Sequence, residues 1–84
     1  MEDWSGRVMG VVIALDGHLS VAAVNQARDL IDHGEAPEGL ISLAWCIVAE
    51  RARVPRWTVD AIHELGDGVN DPADLPENLR EFAD

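Results

Sequence analysis

Leu40-Ile41-Ser42-Leu43-Ala44-Trp45-Cys46-Ile47-Val48 is the stretch that decides how this chain folds. Ser42 alone interrupts the apolar residues, so no single stripe is set aside for one neighbour. A helix of that kind sits centrally and is covered on most sides. Pro37 suits its first turn, where the missing N–H would lack a partner anyway. Glu35 and Glu38 complement the positive end of its dipole. Glu50, Arg51 and Arg53 return it to water, and the two arginines suit its C-terminal end. Trp45 and Cys46, midway along, are expected in the core.

Upstream, Ser20 is a good N-cap. Val24, Ala27 and Ile31 then line one face with Leu30 beside them, His33 closes the helix and Gly34 ends it. Further back, Trp4, Val8, Val11, Val12 and Leu15 recur at spacings of three and four, which predicts a helix over 4–15. A strand competes there, because Val8–Ile13 is rich in β-branched residues and Gly10 weakens a helix. Polar residues do not alternate, so the helix is preferred. Asp16-Gly17-His18 breaks it.

Downstream, Pro55 can open a fourth helix, with Val59, Ile62 and Leu65 facing in and Gly66 and Gly68 at its end. Asp67–Asp74 reads as a loop. Pro76 permits a last helical turn in which Leu79 and Phe82 cover the core. The chain is thus expected to be one all-α domain over 1–84, a compact four-helix bundle with a short C-terminal helical turn. Short connections make neighbouring helices antiparallel. At 84 residues, of which 48% are hydrophobic, there is material for one modest core.

Charge is the chain's most unusual property. Sixteen Asp and Glu stand against six Arg and no Lys, a formal net charge of −10. Such an excess costs stability by self-repulsion while favouring solubility and basic partners. It disfavours nucleic-acid binding, which relies on Lys and Arg at phosphates. The apolar runs are too short to span a membrane. The acidic start lacks the basic region of a signal peptide, and one cysteine suits a reducing compartment. A cytoplasmic location is therefore expected.

No catalytic set emerges. Cys46 lies in the most apolar segment, where a thiol is inert. His18, His33 and His63 have no metal-binding spacing, and Gly66-Asp67-Gly68 lacks the Lys and Ser/Thr of a phosphate loop. No enzyme, cofactor or metal is expected. Arg51, Arg53 and Arg56 read as a helix-end cluster. Trp4 and Trp57 read as lids on the core, with a partner anchor as the alternative for either.

The acids fall into two groups. Asp29, Asp32, Glu35 and Glu38 crowd the turn between the second and third helices. Asp60, Glu64, Asp67 and Asp71, with Asp74 beyond, follow the fourth helix into the loop. Either group is a plain solvated face or a surface for a basic protein.

The segment Ala27-Arg28-Asp29-Leu30-Ile31-Asp32-His33-Gly34-Glu35-Ala36-Pro37-Glu38-Gly39-Leu40-Ile41-Ser42-Leu43-Ala44-Trp45 resembles small helical immunity proteins of bacterial polymorphic and contact-dependent toxin systems, the MafI-like and CdiI-like groups. There too a helix ends at Gly-Glu, and a largely apolar helix follows with acids at its start. The resemblance covers roughly residues 20 to 65. It implies a non-enzymatic inhibitor that binds a cognate basic toxin domain, commonly a nuclease. Asp29, Asp32, Glu35 and Glu38, and/or Asp60, Glu64, Asp67 and Asp71, would then be the contact positions. The alternative is a small adaptor or regulatory bundle that binds a protein or itself.

Overall fold

Each of the four predicted helices forms. The computed structural model describes residues 3–84. Helix α1 spans Trp4–Leu15, α2 Val21–Asp32, α3 Ala36–Ala49 and α4 Arg56–Gly66. Two 3-10 turns follow, Pro72–Asp74 and Leu79–Phe82. The first of these lies inside the predicted loop, because Asp71 caps it and Pro72 presets its backbone. Among the described residues there is no strand, only the isolated bridges Asp16–Leu19 and Val54–Ala83.

In α1 the helix prevails over the strand reading. Asp3 accepts a hydrogen bond from the Gly6 amide at 2.7 Å, and Val8, Val11, Val12 and Leu15 bury one face. Helices α2 and α3 form the most extensive pair. At the start of α2 the Ser20 hydroxyl accepts from the Ala23 amide at 3.1 Å. The carboxylate of Glu50, at the far end of α3, receives the Ser20 amide at 2.8 Å and the Ser20 hydroxyl at 2.7 Å. One end of the hairpin is therefore clamped by side chains.

The other end is clamped by backbone. Gly34 adopts φ +80°. Its amide donates to the Ile31 carbonyl at 3.1 Å, and the Glu35 amide donates to the Leu30 carbonyl at 2.8 Å. This is a Schellman stop, for which a left-handed glycine is the favoured residue. Gly39 then lets α3 lie close against α2: a Cβ there would come within 3.0 Å of Ile31 Cγ1.

Within α3, Leu40, Leu43, Ala44 and Ile47 are buried. The helix is central, but one expectation for it fails. Trp45 is 50% exposed, and its indole N–H donates to the Asp74 carbonyl at 2.7 Å. Its polar edge needs an acceptor, and the 3-10 turn at the surface supplies one. Cys46 is half-buried rather than buried. Burial pushes its thiol above the ordinary value and the Glu50 charge adds to this, against a hydrogen bond with Ser42.

A second Schellman stop ends α3. Here Arg51 takes the left-handed position at φ 52°, and the Ala52 amide reaches the Ile47 carbonyl at 3.0 Å. Arg53 does not cap α3; its guanidinium donates to the carbonyls of Glu81 (3.4 Å) and Ala83 (3.3 Å). The C-terminal segment is pinned there. The Val54 amide donates to the Phe82 carbonyl at 3.0 Å, and the Asp84 amide donates to the Val54 carbonyl at 2.8 Å. Leu79 fills the base of the core and Phe82 is half-buried against it.

Helix α4 lies on α1, α3 and the last 3-10 turn. Thr58, fully buried, donates its hydroxyl to the Pro55 carbonyl at 2.6 Å. Trp4 is a lid, with its indole N–H on the Leu65 carbonyl at 2.9 Å. Trp57 is not: its side chain is 53% exposed.

Candidate functional site

The four acids of the first group lie together at the α2–α3 corner, and all are exposed. The turn fixed by Gly34 and the close approach at Gly39 set their arrangement. Among the described residues none of the four has an arginine partner. Only His33 answers them. Its Nδ1–H donates to the Asp29 carbonyl at 2.8 Å, with the Asp29 carboxylate 3.4 Å away. That backbone bond, then the charges of Asp29, Asp32 and Glu35, raise the His33 pKa above 6.5.

Local structure accounts for half of the corner. Glu35 and Glu38 stand at the positive end of α3, where acids are favourable. Asp29 and Asp32 stand in the last turn or so of α2, which has no basic residue to offset them. There the helix dipole opposes them, at about 0.3–1 kcal/mol each. Asp29 is answered only by the exposed His33, and Asp32 has no ion-pair partner among the described residues.

Asp60, Glu64 and Asp67 of the second group line one hollow, but the group is not a free patch. Asp60 pairs with Arg80 at 2.8 Å and Glu64 with Arg7 at 3.1 Å. Asp71 accepts from the Ala73 amide at 3.0 Å to cap the first 3-10 turn, and Asp67 is the C-cap of α4. Asp74 lends its carbonyl to Trp45. The exposed ion pairs are weak, worth about 0–1 kcal/mol. They still lower the local charge well below what the sequence suggests.

Helices α1 and α4 enclose a groove of about 430 Å³ lined by Arg7, Gly10, Trp57, Asp60 and Glu64 among others. Trp57, Asp60 and Glu64 recur at i, i+3 and i+7, so their common face was readable from spacing; the glycine wall opposite was not. A second hollow of about 410 Å³ adjoins it, with His63, Asp67, Asn70 and Arg80 on its walls. His63 Nδ1–H donates to the Val59 carbonyl at 3.0 Å, an ordinary helix-end contact.

At the far end of α3 the chain carries Arg51, Arg53 and Arg56, with Glu50, Glu81 and Asp84 close in sequence or by hydrogen bond. That end is balanced in charge where the α2–α3 corner is not. Among the described residues no group of three or more His, Cys, Asp or Glu is placed to hold a metal ion. No helix there is long and apolar enough to cross a membrane. Compared with protein-family models, curated proteins and solved structures, the chain matches none.

Proposed function

We propose that this chain is a helical immunity protein that binds and neutralises a basic toxin domain, a nuclease in the first instance, without catalysis of its own. The observation that carries the reading is the α2–α3 corner. Four exposed carboxylates converge there without an arginine partner among the described residues, and two of them oppose the dipole of their own helix. Carboxylates kept against a stability cost are what a docking surface for a cationic protein requires. A nuclease groove must be basic to hold phosphates, and an acidic corner occupies it as phosphate does. Steering by such a surface raises association rates by roughly 10–10³. A cytoplasmic inhibitor that must meet its toxin quickly benefits from that gain.

The test is calorimetric titration of a basic toxin domain encoded beside this chain, at about 50 and 500 mM salt. Tight binding that weakens steeply with salt is expected, together with loss of the toxin's activity in the complex. No binding at low salt rejects the reading. Binding that ignores salt favours an adaptor held by apolar contacts.

A further inference from the structure

Three observations single out the groove between α1 and α4. First, the Trp57 indole on its rim is 53% exposed, although an aromatic ring gains most from burial. Second, Gly10 stands in mid-helix, where it costs roughly 1 kcal/mol against alanine. A Cβ at that position would meet nothing within 4 Å, so packing inside the chain does not call for glycine. It leaves open space on the groove wall. Third, each carboxylate of the groove spends one oxygen. Asp60 Oδ1 receives Arg80 and Glu64 Oε1 receives Arg7. Asp60 Oδ2 and Glu64 Oε2 have no hydrogen-bond partner among the described residues.

We infer that the groove receives an arginine side chain of a basic protein partner. The guanidinium stacks on the face of Trp57, and its N–H fork reaches the spare oxygens of Asp60 or Glu64. Arginine suits the place better than lysine, because a planar group both stacks and forks. Charge favours a cation over an anion: Asp60 and Glu64 are each answered by one arginine through a single oxygen and keep the other oxygen free among the described residues, in a body of net charge −10. Arg7 is then the internal competitor that holds Glu64 while the groove is empty. The inference rests on the preceding reading for the class of partner, but not on the acidic corner.

The probe is N-acetyl-arginine amide, titrated into the ¹⁵N-labelled full chain, with N-acetyl-citrulline amide as its neutral isostere. Saturable shifts are expected at the Trp57 indole N–H and at the amides of Gly10 and of Ala61, which also lines the groove, with arginine and not with citrulline. Trp57→Ala should weaken binding about two- to five-fold, the worth of an exposed cation–π contact. Arg7→Gln should strengthen it by freeing Glu64, which a merely structural arginine would not do. Shifts confined to residues 29–38, equal shifts with citrulline, no saturation, or weaker binding in Arg7→Gln each overturn the inference. If the probe binds and the toxin does not, the immunity reading fails alone; the reverse result removes only the groove.

Discussion

Two residues of this chain hold positions that a better stabiliser would fill. Gly10 is one: a methyl group there meets open space. Gly10→Ala should raise stability by roughly 1 kcal/mol, read from thermal or urea unfolding. Arg51 is the other, a left-handed non-glycine at φ 52°. Arg51→Gly should relieve its strain and gain up to about 1 kcal/mol, less the added freedom of the unfolded chain. His33 gives a pH signature. Its pKa is raised in the folded state above 6.5. Its contribution to stability is therefore fully present below pH 6.5 and fades as pH rises through the folded value. NMR titration of the ring should show a midpoint above 6.5, and His33→Gln should remove that segment of the stability–pH curve.

At the level of elements, α3 carries the core. Leu43 is fully buried, so Leu43→Ala should cost about 2–5 kcal/mol, close to the whole stability of a small domain. Trp45→Ala, on the same helix but half-exposed, should cost distinctly less; chemical denaturation of the pair checks the ranking. The helices themselves were legible because their signals are local. Ser20 as a cap, Gly34 as a stop and the spacing of Val8, Val11 and Leu15 each act within a few residues. The exposure of Trp45 and Trp57 was not legible, since burial of a ring depends on which element lies opposite. Pairing of the acids was hidden for the same reason. Arg7 reaches Glu64 across 57 positions, Arg80 reaches Asp60 across 20, and Glu50 reaches Ser20 across 30. The first acidic group is held near a three-residue turn that brings no arginine to it, whereas Asp60 and Glu64 of the second meet arginines that only tertiary structure supplies.

For the whole molecule, the net charge of −10 resolves into regions of different character. Asp60 and Glu64 are partly neutralised, while the α2–α3 corner is not. The double variant Asp29→Asn with Asp32→Asn separates fold from function. At a pH where His33 is neutral it should leave stability unchanged or raise it by about 0.3–1 kcal/mol per site, because the opposition to the α2 dipole is removed; at lower pH the loss of the Asp29–His33 contact offsets that gain. In the same variant the association rate with a basic toxin domain should fall, and its salt dependence should flatten. Stopped-flow mixing at several salt concentrations measures both. An unchanged rate would place the contact elsewhere on the surface.

The placement of charge along α3 has a mechanical consequence. This helix of 14 residues is a lever about 21 Å long. An unbalanced negative load sits at the Glu35 end and a near-balanced mixture at the Arg51 end. A basic surface approaching from any side exerts a torque on that lever before contact. Were such a surface the partner, the torque would favour a corner-first approach and fewer collisions would be spent on other faces.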